Sequence, residues 1–295
     1  MSKFPLPRVD WPATDPPEAD DEVDDHVAPV VPWSTFMQRM DWRQGEHVTL
    51  VGATGGGKTT TAIQLLPMRD WVVTFATKPA DDTLDQLVAS GYKRVPTWPP
   101  GPPLDDQPAA PLDDAAPDQP GHWFWSAGVD DRAPELVEVD DRLAPRVVLW
   151  PEMRRLRDLA EQRAVFYDAI DDIFAAGGWT IFADELYYLA ASDFVDLGDE
   201  LKILWQQGRS IGISLVAATQ RPAWVPLEAY SQATHVLFWR MSDRRDLDRI
   251  SGLGAHDPVV IRETVSQLRR YELLYLNTRT GDLMRTTPPA PDQKG

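Results

Sequence analysis

The sequence predicts an α/β protein in which a mainly parallel sheet carries helices on both faces, and three observations lead to that class. Short apolar runs alternate with stretches of helical spacing along most of the chain, as they do where parallel strands are joined by crossover helices. A glycine-rich loop stands between the first apolar run and the helical stretch that follows it. A later run ends on two adjacent carboxylates. Both features belong at the carboxyl ends of parallel strands, where the loops of such sheets meet their ligands.

Residues 1–32 hold eight acidic and two basic side chains and few large apolar groups. Such a segment buries too little surface to offset the entropy of ordering, so a disordered acidic arm is expected there, with the folded part over 33–285. The first strand is His47-Val48-Thr49-Leu50-Val51; after the loop that follows it, Thr60 to Leu66 continues as a helix that Pro67 stops. A second strand, Trp71 to Ala76, leads into Thr77-Lys78-Pro79-Ala80-Asp81. From Trp98 to about Arg146 the composition turns acidic and proline-rich, with Pro-Pro-Gly-Pro-Pro at 99–103. This reads as an insertion between core elements in which His122-Trp123-Phe124-Trp125 forms one apolar docking patch.

A long helix is expected from about Glu152 to Ala176, with Leu156, Leu159, Phe166, Ile170 and Ile173 at helical spacing and Gly177-Gly178 ending it. Trp179 to Ala183, Ile213 to Ala218 and Thr234 to Arg240 supply three further strands. Tyr271 to Leu276 and Asp282 to Thr286 flank a Thr-Arg-Thr-Gly turn and form a C-terminal hairpin. A short polar tail runs from Thr286 to Gly295.

The charge excludes less than its size suggests. Of the net −17, the first 32 residues carry −6 and residues 101–146 carry −8, which leaves −3 for the remainder. That remainder is close to neutral and can present a basic face. The absence of cysteine removes disulfides and thiolate metal sites. No apolar leader and no run of eighteen apolar residues occurs, so no membrane span and a cytoplasmic location are expected. The twelve tryptophans are expected to fill the core or line an assembly surface.

The glycine-rich loop Gly52-Ala53-Thr54-Gly55-Gly56-Gly57-Lys58-Thr59 matches G-x-x-x-x-G-K-[ST], the phosphate-cradling pattern, with the required strand before it and helix after it. Backbone N–H groups of this loop and of Thr60 at the helix start supply donors and partial positive charge to an α/β-phosphate pair. Lys58 then reaches the β- and γ-phosphates of ATP, and the Thr59 hydroxyl ligates Mg²⁺. The run Trp179-Thr180-Ile181-Phe182-Ala183 delivers Asp184 and Glu185 toward the same phosphates. Asp184 suits the Mg²⁺ shell, and Glu185 suits a general base that polarises the attacking water. The Ile213–Ala218 strand ends on Thr219-Gln220, where the Gln220 amide can sense the γ-phosphate or the lytic water. Arg209 precedes that strand and can reach a neighbouring subunit's nucleotide to stabilise transition-state charge.

Taken together, GATGGGKT, the strand leading to TKPAD, IFADEL and QGRSIGISLVAATQRP resemble the HerA/FtsK superfamily of ring-forming motor ATPases, over roughly Val48 to Arg240. The acidic insertion departs from that pattern, and so does Thr77-Lys78-Pro79, which stands where the family often has Asp-Pro-Lys. The resemblance implies a RecA-like P-loop NTPase core and a hexameric ring that hydrolyses ATP between subunits. Within it, Arg209 matches the trans-acting arginine and Gln220 the sensor. It also implies sequence-independent DNA as a partner, for which Lys93-Arg94, the Arg154/Arg155/Arg157 cluster, Arg244-Arg245 and Arg269-Arg270 are the basic candidates. Two alternatives stand beside a DNA translocase or packaging motor. One is a regulatory ATP switch that acts on a protein partner through the acidic segments. The other is a terminase-type packaging ATPase lacking a nuclease domain; such enzymes usually carry that domain after the ATPase, and with only about 55 residues after Arg240 this alternative is the less expected.

Overall fold

A computed structural model describes residues 28–98, 146–155, 158–253 and 256–289, together with the backbone of 123–125 and 136–138. In chain order the elements are α1 (Trp33–Met40), β1 (His47–Val51), α2 (Lys58–Leu65), β2 (Val72–Phe75), α3 (Asp82–Ala89), β3 (Lys93–Val95), β4 (Trp123–Trp125), β5 (Leu136–Glu138) and β6 (Arg146–Leu149). There follow α4 (Leu159–Ala176), β7 (Thr180–Ala183), α5 (Leu186–Ala190), α6 (Gly198–Gln207), β8 (Ser214–Thr219), α7 (Glu228–Ser231), β9 (Ala233–Trp239), α8 (Arg244–Ser251), α9 (Pro258–Gln267), β10 (Leu273–Asn277) and β11 (Leu283–Thr286).

Nine strands form one sheet in the order β11-β10-β9-β1-β8-β7-β2-β6-β3. The strands from β9 to β3 are parallel, and β10 and β11 add an antiparallel hairpin. This is the mainly parallel α/β core with a C-terminal hairpin that the sequence predicts. β4 and β5 pair with each other in a separate two-stranded sheet.

Strand alternation divides the core into two layers. Val48, Leu50, Phe182, Val216 and Leu237 face α1, α2 and α3, whereas Val51, Ile181, Leu215, Ala217 and Phe238 face α4 to α9. Because both faces are covered, every residue of β1, β7, β8 and β9 is buried, which is why these strands are mainly apolar and do not alternate with charged residues. Six of the nine described tryptophans are buried, and Trp224 stands out at 57% exposed.

The structure moves four sequence-based boundaries. The long helix begins at Leu159, not near Glu152. The preceding loop is tied instead by the Asp158 carboxylate, which accepts the N–H groups of Arg154 and Arg155 at 3.1 and 2.8 Å. Residues 28–31 already belong to the fold, before the expected end of the acidic arm, because Val31 N–H donates to Arg285 O and Arg285 N–H to Pro29 O, both at 2.8 Å. Trp98 belongs to the core, with its indole N–H on Asp172 at 2.9 Å and its ring edge-on to Trp179. Thr286 is fully buried as the last residue of β11, so the tail starts after it. The short strand β3 is an addition to the sequence reading. Most of the insertion, the side chains of its apolar patch, most of the acidic arm and Arg157 lie outside the described residues.

Candidate active site

The phosphate-cradling loop leaves the carboxyl end of β1, at the centre of the sheet. Its first glycine is pinned by a 3.2 Å bond from Gly52 N–H to Thr219 O, and a β-carbon there would lie 2.6 Å from the Trp239 β-carbon on β9. Only glycine fits that approach. Gly57 closes the loop at φ 104°, a left-handed conformation that side chains resist, and serves as the N-cap of α2 without a side-chain cap. The N-terminal N–H groups of α2 are therefore left for an anion.

Lys58 lies 7% exposed inside the loop, with Nζ donating to Gly52 O at 2.7 Å and Ala53 O at 3.0 Å. Burial pushes its pKa down to about 8, against the opposing pull of Glu185 and Asp184. The Thr59 hydroxyl donates to Asp184 Oδ1 at 2.6 Å. Asp184 follows β7, two strands from β1, so this contact joins the loop to the second motif across β8. One hydroxyl and one buried carboxylate form an oxygen pair that fits Mg²⁺, which takes few protein ligands and completes its shell with water and substrate phosphates. Among the described residues no cluster of three or more acidic, histidine or cysteine side chains offers an all-protein metal cage.

Beside this pair stand Glu185 and Gln220. The Gln220 amide donates to Glu185 Oε2 at 3.0 Å, and Gln220 Oε1 accepts the Thr54 hydroxyl. Burial raises the Glu185 pKa; Lys58 opposes that rise and the Asp184 charge reinforces it. A carboxylate so placed is more basic than an exposed one and is aimed by a neutral amide, as water activation requires.

The sequence left Lys78 without a clear part, and the structure places it here. Its Nζ bridges Asp184 Oδ2 at 3.0 Å and Asp81 Oδ2 at 2.9 Å. Burial alone would lower its pKa, but Asp184 and Asp81 hold it above the usual lysine range. Trp150 fixes the segment by donating its indole N–H to Lys78 O at 2.8 Å.

Arg209 is the expected site residue that does not join the cluster. It sits before β8, at the amino edge of the sheet, whereas Gln220 follows β8 at the carboxyl edge. Six strand residues separate those edges by roughly 17 Å. Arg209 is exposed, with no side-chain hydrogen bond or ion pair among the described residues. Its loop is fastened from below: the Gln44 amide donates to Gly212 O at 2.7 Å and Gly178 O at 3.1 Å, and Gly45 N–H donates to Ser214 Oγ at 2.8 Å. His47 beneath it is pushed down to about 4, mainly by burial and further by the Arg209 charge.

The fold is that of a P-loop NTPase. The chain has the fold of the HerA/FtsK-type ATPases: it matches VirB4 of Thermoanaerobacter pseudethanolicus with a TM-score of 0.53 at 12% identity, over 84% of this chain and 90% of that one. It matches the genome packaging NTPase B204 of Sulfolobus turreted icosahedral virus 2, solved with sulfate, with a TM-score of 0.51 at 13% identity, over 85% of this chain and all of that one. In sequence it is 21% identical over 252 residues to the DNA packaging ATPase P9 of Enterobacteria phage PRD1, spanning 82% of this chain and 87% of that protein. No family model matches the sequence. Among the described residues, no helix is long and apolar enough to cross a membrane.

Proposed function

We propose that this protein is an ATP-hydrolysing ring motor that packages DNA, acting in the cytoplasm of a host cell. The observation that carries the hydrolytic part is the connected set Lys58, Thr59, Asp184, Glu185 and Gln220, assembled from three adjacent strands at one edge of the sheet. Bound Mg²⁺ would neutralise phosphate charge between Thr59 and Asp184. Lys58 binds the phosphate chain, Glu185 takes the proton of the attacking water, and Gln220 holds Glu185 in position. The exposed Arg209 at the opposite edge serves the site of the next subunit, which makes a ring, hexameric in the resembling family, the working assembly.

A packaging motor also needs cations facing its substrate, and the described surface supports one place for them. Arg221, Trp224, Arg244 and Arg245 line a cleft of about 300 Å³ with Asp243 and Asp246. The Arg221 guanidinium lies 5.8 Å from the Trp224 ring centroid, and Arg244 has a side-chain exposure of 93%. Exposed arginines beside an aromatic ring suit phosphate contact and base stacking without sequence readout. Among the other basic candidates, Arg94 lies 3.8 Å from the Trp150 ring centroid and 3.6 Å from Asp85, and Arg154 pairs with Glu152 at 3.0 Å; in the cleft the ion pairs are longer, Arg244 to Asp248 at 3.9 Å and Arg221 to Asp246 at 4.0 Å.

The test is the ATPase rate with and without linear duplex DNA. Stimulation by DNA is expected, and the Arg244→Ala/Arg245→Ala variant should lose most of it, with the salt slope of DNA binding falling by about one per phosphate contact removed. A wild-type rate indifferent to DNA would favour a switch over a motor.

A further inference from the structure

The hydrolytic residues leave one side of the loop unassigned, the side facing β9 and β10. There Gly57 is walled by Trp239 and Tyr271: a β-carbon on Gly57 would lie 3.5 Å from Tyr271 Cδ1 and 3.6 Å from Trp239 Nε1. The Trp239 side chain is 1% exposed, and its N–H has no hydrogen-bond acceptor among the described residues. Tyr271 adopts φ 66°, a left-handed conformation uncommon for a bulky residue and one that accumulates at binding sites. A tight turn holds it there. Glu272 N–H donates to Arg269 O at 3.2 Å, and the buried Glu272 carboxylate accepts Arg269 N–H at 2.9 Å. The Arg270 guanidinium lies 4.7 Å from the Tyr271 ring centroid.

The polarity of the site says which part of a nucleotide arrives at this corner. Lys58, Asp184, Glu185 and Gln220, the groups suited to the terminal phosphate, belong to the loop after β1 and to the ends of β7 and β8. β9 and β10 lie on the other side of β1. A triphosphate threaded through the loop with its γ end among the carboxylates therefore directs its nucleoside end toward Tyr271. A purine is a flat aromatic heterocycle, and an aromatic ring paired with a guanidinium plane offers it stacking partners that phosphate-binding groups do not.

We infer that Tyr271 and Arg270 form the base-binding wall of the nucleotide site, stacking against the purine while Trp239 backs the loop at Gly57. This rests on the nucleotide reading above and adds the part of the substrate that the loop itself does not recognise.

The experiment measures binding of ATP and of inorganic tripolyphosphate, which carries three phosphates without sugar or base, to the full chain in Mg²⁺. Wild type, Tyr271→Gly and Tyr271→Phe are compared. Glycine accepts the left-handed backbone, so Tyr271→Gly removes the ring without adding strain. It should weaken ATP binding about tenfold and leave tripolyphosphate binding unchanged, as expected for a lost stacking contact. Tyr271→Phe should bind both ligands like wild type. Equal losses for both ligands in Tyr271→Gly would assign the ring to the loop's structure and overturn the inference, as would no loss for either. A wild-type protein that binds both ligands equally well would overturn the base wall alone, whereas one that binds neither would overturn the nucleotide reading as well.

Discussion

The two ends of β8 present opposite chemistry. At the carboxyl end Gln220 is bonded to Glu185 and Thr54, within a network that continues through Asp184 to Thr59 and Lys78. At the amino end the loop is as firmly held, by Gln44 and Gly45, yet the Arg209 side chain it displays is exposed and without a partner among the described residues. One end is a site that a single chain nearly completes. The other is a firmly held mount for a charge that, roughly 17 Å from the loop, is too far away to stabilise a transition state there. The comparison teaches that a residue can be firmly positioned without belonging to the site of its own chain.

The most severe way to break the carboxyl end is Glu185→Gln. It should keep ATP binding and lower turnover by up to about 10⁴-fold, because the carboxylate is needed mainly in the transition state. Lys58→Ala should lose binding itself. Near-normal turnover of Glu185→Gln, measured beside an equilibrium binding assay, would remove Glu185 as the base.

The amino end is tested by Arg209→Ala, expected to leave ATP affinity of the isolated subunit intact and to lower turnover of the assembly by about 10³-fold. Mixing Arg209→Ala with Lys58→Ala subunits should restore part of the activity, since an intact loop can then face an intact arginine. Verified mixed rings with no recovery would place the action of Arg209 within its own chain or in structure alone.

A smaller effect sharpens the electrostatics of the loop. Lys58 is depressed to about 8, so the free protein carries the charge that attracts phosphate below that pH and loses it as pH rises through 8. Bound phosphate stabilises the protonated amine, and binding above pH 8 must therefore take up a proton. ATP affinity should be level below pH 7.5 and fall toward tenfold per pH unit above 8. Calorimetry in buffers of different ionisation enthalpy would reveal the proton uptake, and a flat affinity up to pH 9.5 would show that Lys58 keeps its charge throughout.

Much of this was legible because it is local. The loop pattern, the two carboxylates at the end of an apolar strand, and the separation of Arg209 from Gln220 by one strand all follow from neighbours in sequence. What escaped depends on the order of strands. Lys78 reaches Asp184 because β2 lies beside β7, and no feature of Thr77-Lys78-Pro79 announces that pairing. Trp239 and Tyr271 reach Gly57 because β9 lies beside β1 and β10 beside β9; in sequence Trp239 is one more apolar residue of a buried strand. The helix start near Glu152 was misplaced for a different reason, since composition favours helix there while the Asp158 carboxylate captures the backbone donors.

The docking of residues 28–31 on β11 has a consequence for the acidic segments. The N-terminal arm is rooted at the β11 edge of the sheet, and the insertion in its other half, where Trp98 packs against Trp179 just before β7 and Arg146 opens β6. Five to seven inter-strand spacings set the roots roughly 24 to 34 Å apart, several times the screening length of about 8 Å at physiological salt. At their roots the two appendages are electrically independent: a partner that titrates the charge of one leaves the field at the other unchanged, and each can answer to a different surface at opposite flanks of the same subunit.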